Sequence, residues 1–279
     1  MEEHVKEQKV SRREMRKKKN KEMIRRIILV IAVITFCISG WELYKILSEY
    51  QKGSNEYNDL QDLVVEQGGV IADVNAGPGE VMELEKIFKV NFEELMAINE
   101  DTVGWIRFKE PSEISYPLVL SADNADYLYT TFEGKSNSAG TLFVDYKNTG
   151  DFDEENTFIH GHNMKNGSMF GRLRKFRDSS YRTENPYFSI YTPDGRELVY
   201  EVFAVCVVKD TSQTYDREYE NTQEFQEYLN YVKKSALYNT GVEVTADSKI
   251  VSLSTCTNVT DDERLVVHGV MIEEKAVGE

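Results

Sequence analysis

The chain has 279 residues, more than a typical single domain, and its 41% hydrophobic and 11% aromatic residues supply enough apolar material for a folded core. Its formal net charge of −15 is unevenly spread, because residues 1–26 hold eleven Lys/Arg against five Glu, a balance of +6, which leaves −21 on the remainder. So acidic a remainder repels nucleic-acid backbones, which argues against DNA or RNA as a partner.

An uncharged run from Ile27 to Trp41 follows the basic segment directly, and apolar residues continue to Leu47. This run predicts a membrane-anchoring helix over residues 27–47. Because Lys/Arg-rich flanks stay in the cytoplasm, we expect residues 1–26 inside the cell and the acidic remainder outside, as in a single-pass type II membrane protein. The alternative is a cleaved signal peptide, against which the long charged segment and the lack of an A-x-A site argue.

A polar segment over residues 48–79 contains two glycine-bearing stretches and predicts an extracellular stalk. The main domain is then expected over residues 80–279. Apolar spacing from Val81 to Phe88 predicts a short helix. Asn91, with Glu94 three residues later, predicts the cap of a second short helix.

The chain after Trp105 consists mainly of short runs rich in β-branched and aromatic residues, which predict strands. These runs are 116–120, 141–145, 157–160, 187–191, 197–205, 249–255 and 265–272. One helix interrupts them, and its predicted start is Asn221 with Glu224 three residues on. Many strands and few helices indicate a mostly β domain, either a closed barrel or a sandwich.

Three cysteines, Cys37, Cys206 and Cys256, are too few for a disulfide framework, and the first two lie in apolar runs. Cys256 instead ends a predicted strand, and Arg264 precedes the next one. If these strands pair as a hairpin, Arg264 returns beside Cys256, where a guanidinium can stabilise the oxyanion formed by thiolate attack on a carbonyl. The alternative is that Cys256 is a small buried residue of the core.

His162 lies in a glycine-containing turn at the end of another predicted strand. A cysteine nucleophile needs such a neighbour to accept its proton and later donate one to the leaving amine. A metal site built from His160, His162, His268 and Cys256 is an alternative, but it lacks a CxxC pair or an HExxH helix. We therefore predict neither a metal nor another cofactor.

From about Gly104 to its C-terminus the chain resembles the class B sortases. The matching segments are Tyr116-Pro-Leu-Val119, Asp123-Asn124 through Tyr127-Leu128, Phe132-Glu-Gly-Lys135, Ala139-Gly-Thr-Leu-Phe-Val-Asp-Tyr146, Gly161-His-Asn163, Gly167-Ser-Met-Phe170, Leu253-Ser-Thr-Cys256 and Arg264. The family's TLxTC-type signature appears here as Ser252-Leu-Ser-Thr-Cys256, with Ser in the first place.

The resemblance implies a closed sortase-type β-barrel with N-terminal helices and one helix before the cysteine-bearing strand, preceded by a single transmembrane helix. It also implies a catalytic set in which His162 is the acid/base, Cys256 forms a thioacyl intermediate and Arg264 supports the oxyanion. Ser254 matches a position that contacts substrate or orients the arginine in such enzymes. His160 is then a bystander.

The implied reaction is transpeptidation outside the cell. Its partners are a surface protein carrying a C-terminal sorting signal, cleaved after threonine, and an amine of a cell-wall precursor or a pilin. Two alternatives remain: a cysteine peptidase with water as acceptor, and a non-enzymatic membrane-anchored module in which Cys256 is a core residue.

Overall fold

The computed structural model describes residues 2–61, 63–68, 86–257 and 259–277. The chain divides into two compact units, Met1–Gln51 and Lys52–Glu279. Helix α1 runs from Glu2 to Gln61 and is, among the described residues, the one helix long and apolar enough to cross a membrane. Apolar side chains such as Phe36 and Trp41 are exposed along it. The length and apolar character of this helix are consistent with a membrane anchor.

The last turns of α1 belong to the second unit and pack on its barrel. Tyr57 and Leu60 are buried, and the Tyr57 ring meets the edge of Tyr116 at 5.3 Å between centroids. The Tyr57 hydroxyl donates to the Gly140 carbonyl and lies 3.2 Å from Thr141 Oγ1. Part of the segment predicted as a stalk is therefore helical and held against the barrel.

Strands β1 (Val64–Gly68) and β2 (Lys86–Val90) pair antiparallel. The predicted helix over residues 81–88 is wrong at its C-terminal end, because that part belongs to β2; residues 81–85 lie outside the described residues. Packing explains the difference, since Phe88 contacts Tyr191 at 4.8 Å between ring centroids and lies under the Arg107 guanidinium. Tertiary contact has overridden the helical spacing.

Helix α2 (Phe92–Ile98) begins where the sequence predicts it. The Asn91 side chain accepts a hydrogen bond from the Glu94 amide at 3.2 Å, and its own amide group donates to the Glu94 carboxylate at 2.9 Å. The first bond caps the helix as predicted. The second joins the two side chains and does not complete a capping box, because the Asn91 backbone amide donates to the Leu63 carbonyl instead.

Eight of the described strands form a closed barrel in the order β10-β8-β7-β3-β4-β5-β6-β9, with β9 pairing back to β10. Their bounds are Thr102–Phe108 (β3), Ser115–Leu120 (β4), Leu142–Val144 (β5), Asn156–His160 (β6), Tyr187–Tyr191 (β7), Arg196–Lys209 (β8), Ile250–Cys256 (β9) and Glu263–Ala276 (β10). Neighbouring strands are antiparallel except for the parallel pairs β4–β5 and β6–β9. Of the two predicted architectures, the closed barrel is therefore confirmed and the sandwich is wrong.

Two further helices lie on the barrel, α3 (Ser179–Glu184) and α4 (Thr222–Ser235). The Asn221 side chain caps α4 by accepting from the amides of Gln223 and Glu224 at 3.0 and 3.1 Å. The helix predicted before the cysteine-bearing strand is thus confirmed together with its cap. Its buried face packs on β8 and β9 through Phe225, Tyr228, Leu229 and Val232.

Candidate active site

Cys256 is the last residue of β9, and its direct partner across the antiparallel ladder is Arg264, near the start of β10. Residues directly opposed in an antiparallel pair project from the same face of the sheet. The predicted hairpin register is therefore present. Cys256 is partly exposed, whereas Cys206 is buried in β8, where burial raises its thiol pKa to about 12. Of these two thiols, Cys256 is the one that solvent and ligands can reach.

His162 follows β6, which runs parallel to β9 with His160 opposite Ser254. The Gly161 amide donates to the Ser254 carbonyl at 3.1 Å. One residue beyond His162, the Asn163 side chain donates to the Cys256 carbonyl at 2.8 Å. The histidine lies between two direct attachments to β9, so the fold holds it next to the cysteine-bearing strand end.

The His162 ring is held by the loop between β4 and β5. Its Nε2 lies 2.7 Å from the Leu128 carbonyl oxygen, and the Tyr129 ring lies 5.6 Å away between centroids. Because a carbonyl oxygen only accepts, Nε2 carries a proton in this arrangement. In the neutral ring Nδ1 is then the nitrogen free to accept a proton.

Arg264 is held by one carboxylate and two backbone carbonyls. Its Nη2 lies 3.2 Å from the Asp210 carboxylate, and its Nη1 donates to the carbonyls of Asp261 and Glu263 at 2.6 and 3.2 Å. These bonds use three of the five N–H donors of a guanidinium. Among the described residues, no further hydrogen bond uses the other two donors.

Ser254 is buried two residues before Cys256 and projects from the same face of β9. Its hydroxyl lies 2.7 Å from the hydroxyl of Tyr215, whose ring stacks on Phe158 at 5.5 Å. Burial raises the Tyr215 pKa to about 12, while the nearby Arg264 charge acts to lower it. Sequence reasoning missed Tyr215, because it lies in a polar loop without a motif of its own.

His160 and His268 take other environments. The His160 ring bonds to Asp145, with 3.0 Å between Nε2 and Oδ2. His268 is fully buried in β10, where its Nδ1 lies 2.8 Å from the Ser252 hydroxyl. Among residues 2–61, 63–68, 86–257 and 259–277, no group of three or more His, Cys, Asp or Glu side chains is arranged to hold a metal ion.

Comparison with known proteins points to one family. The family model described as the sortase domain matches residues 121–272. Sortase B of Listeria monocytogenes is 32% identical over 256 residues, which cover 91% of this chain and 99% of that protein. Sortase B of Staphylococcus aureus is 27% identical over 243 residues, covering 86% of this chain and 93% of its own.

Solved structures give the same result. Sortase B from B. anthracis in complex with AAEK1 is 28% identical with a TM-score of 0.67, covering 82% of this chain and all of that one. A sortase B complexed with triglycine is 27% identical with a TM-score of 0.61, covering 67% of this chain and 86% of its own. The chain therefore belongs to the sortase family, and its relatives place it in class B.

Proposed function

We propose that this sortase is a membrane-anchored transpeptidase whose nucleophile is Cys256, whose acid/base is His162 and whose oxyanion donor is Arg264. The observation that carries the proposal is the register of β9 and β10, which sets Arg264 opposite Cys256 while the His162 turn is bonded to β9 on either side. These three residue types are those that acyl transfer through a thioester requires.

In the first half-reaction the Cys256 thiol gives its proton to His162, and the resulting thiolate attacks the carbonyl carbon of the threonine of a sorting signal. The carbonyl electrons move onto oxygen, and donors of Arg264 not used by Asp210 and the loop carbonyls stabilise that charge. The C–N bond then breaks, and His162 protonates the leaving amine. The product is a thioester between Cys256 and the N-terminal part of the sorted protein.

In the second half-reaction an acceptor amine, from a cell-wall precursor or a pilin, loses a proton to His162 and attacks the thioester. An amide forms, and Cys256 leaves as the thiolate. A sortase B has been solved in complex with triglycine, which suggests the same peptide as the acceptor probe for this chain. Ser254 contributes by holding Tyr215 beside the nucleophile.

The chain organisation proposed with this function has residues 1–26 in the cytoplasm, 27–47 in the membrane and the remainder outside. The basic charge of the first segment supports this type II orientation. Residues 48–79 connect the membrane to the catalytic domain at 80–279, and Tyr57 within the connection packs on the barrel.

The test uses full-length protein in detergent micelles, with triglycine and a library of threonine-containing peptides. In a Trp41→Phe background, His162→Ala, Arg264→Ala and Cys256→Ala are each expected to abolish peptide–triglycine formation, while Trp105, buried in the barrel, keeps its native fluorescence. Cys206→Ala is the matched cysteine control, and Arg174→Ala is the control for an exposed arginine. Near-normal turnover in a folded His162 or Arg264 variant would show that its assigned role is wrong.

A further inference from the structure

Asp145, directly after β5, has a carboxylate that is completely buried. Its Oδ2 accepts from Asn124 Nδ2 at 2.8 Å and lies 3.0 Å from His160 Nε2 and 2.8 Å from Arg217 Nη2. Its Oδ1 accepts from the Lys147 amide at 3.1 Å. A buried carboxylate with this many donors remains charged, and each of its partners is held in place by it.

The partners of Asp145 belong to segments that form the candidate active site. Asn124 lies in the loop between β4 and β5, and its side-chain oxygen also accepts from the Tyr146 amide at 3.0 Å. The same loop supplies the Leu128 carbonyl that binds His162. His160 ends β6, two residues before His162. The Asp145 carboxylate thus joins the β4–β5 loop, which holds the His162 ring, to the end of β6, which His162 follows.

Arg217 connects Asp145 to the segment that contains Tyr215. It lies two residues after Tyr215, in the segment between β8 and β9, and its guanidinium stands 5.1 Å from the centre of the Phe158 ring. Tyr215 stacks on the same ring and bonds to Ser254. The ion pair between Arg217 and the buried Asp145 carboxylate is therefore one charged attachment of the Tyr215 segment to the barrel.

Electrostatics show that these contacts act on the carboxylate. Burial acts to raise the pKa of Asp145, but the hydrogen bond from His160 and the charge of Arg217 outweigh it and lower that pKa to about 2. An ionised carboxylate only accepts, so His160 Nε2 is its donor. Removing one partner of a buried ion pair leaves the other charge uncompensated and shifts the segments that carry it.

We propose that Asp145 is a positioning residue of this enzyme, which fixes the Tyr215 segment through Arg217 and the His162 turn through His160 and Asn124. The inference rests on the proposed transpeptidase function. It assigns to His160 the positioning of the acid/base turn, whereas the family resemblance leaves His160 as a bystander.

The chain offers a matched control for the Arg217 contact. Lys147 pairs with Glu218 at 3.2 Å and so joins the same two segments, but both side chains are exposed, at 44% and 87%. An exposed pair contributes little, whereas removing one partner of a buried pair leaves the other charge uncompensated. Arg217→Gln and Lys147→Gln each remove one cation from the contact between these two segments. The two ion pairs that they break differ in how buried they are.

The experiment measures kcat/KM for peptide–triglycine formation by the full-length protein in detergent, at a temperature where circular dichroism shows each variant folded. Arg217→Gln is expected to lower kcat/KM by roughly tenfold or more, because a small displacement of groups that position substrate is costly. Lys147→Gln stays within about twofold. Arg217→Lys restores part of the loss, since it keeps the charge but not the planar guanidinium that lies over the Phe158 ring.

A double-mutant cycle separates positioning from general stability. If Arg217 acts through Tyr215, the losses from Arg217→Gln and Tyr215→Phe are less than additive. Fully additive losses, or equal effects of Arg217→Gln and Lys147→Gln, would overturn the inference.

A second readout does not depend on any substrate. The rate at which iodoacetamide alkylates Cys256 at neutral pH, mapped by mass spectrometry, reports the thiolate and its neighbours. Asp145→Asn is expected to change this rate by about threefold or more, because displacing His162 alters the environment of the thiol. An unchanged rate in folded Asp145→Asn would contradict the positioning of His162. Absence of turnover in the unaltered protein would count against the proposed function. The alkylation rate of Cys256 would then still decide whether Asp145 positions His162.

Discussion

Acidification to about pH 5 is expected to destabilise the barrel through one histidine in β10. His268 is fully buried, and burial lowers its pKa from 6.5 to about 3. Ser252 donates its hydroxyl proton to Asn156 Oδ1 at 2.8 Å, so it accepts from His268 Nδ1. His268 Nε2 is buried without a partner among the described residues, so a second ring proton has no acceptor.

The size of the effect follows from proton linkage. A group whose folded-state pKa lies below its unfolded value binds a proton more tightly in the unfolded state. The folded protein therefore loses stability as the pH is lowered below the unfolded pKa of 6.5. One pH unit is worth about 1.4 kcal/mol for one such proton. Between about pH 7 and pH 5 the loss attributable to His268 is therefore about 2 kcal/mol.

The assay is urea unfolding of the full-length protein in detergent, in a Trp41→Phe background. Trp105, completely buried in β3, is then the fluorescent reporter of the barrel, because the chain has two tryptophans. His268→Asn keeps a donor near Nδ1 and removes the titration. Between about pH 7 and pH 5, we expect the unfolding free energy of the unaltered protein to fall by about 2 kcal/mol more than that of this variant.

His4→Gln, which removes a histidine from α1, is the matched control and is expected to follow the unaltered protein. Equal losses in His268→Asn and the unaltered protein would refute the reasoning, because the buried ring would then carry no pH-dependent stability.

Two further predictions concern local structure. Asn221→Ala removes the acceptor for the amides of Gln223 and Glu224 at the start of α4 and should lower the unfolding free energy by about 1 kcal/mol. The control Asn230→Ala, at an exposed position of the same helix, should be neutral or slightly stabilising. Equal losses of unfolding free energy in the two variants would contradict the cap. Gly161→Ala places a Cβ against the side chains of Leu142 and Phe170. It should lower the unfolding free energy by about 1–3 kcal/mol and reduce turnover by shifting the His162 turn. Gly40→Ala, with open space around the new Cβ, should change neither quantity.

Much of the barrel can be predicted from local patterns. The runs rich in β-branched and aromatic residues predict β7 and β8, and the Asn91 and Asn221 caps predict the starts of two helices. Strand β3 was not among the predicted runs, although Trp105 within it is completely buried. Its place in the sheet depends on pairing with β4 and β7, which no local pattern encodes.

The candidate site also contains some residues that the sequence predicts and others that it does not. Cys256, His162 and Arg264 can be proposed from the sequence, because each lies next to the end of a predicted strand and has a chemical reason to be near the others. Tyr215 and Asp145 cannot, since their importance comes from contacts with residues far along the chain, Ser254 and Arg217. Such long-range contacts are set by the closure of the barrel and by the path of the segment between β8 and β9.

The most direct test of the account is intact-mass spectrometry of the full-length protein in detergent, mixed with the threonine-containing peptide library, with and without triglycine. The account predicts a thioacyl adduct that maps to Cys256, is absent from Cys256→Ala and converts to peptide–triglycine when the amine is added. A folded protein that forms no adduct on Cys256 with any peptide would contradict it, and release of free acid alone in the presence of triglycine would indicate a peptidase instead.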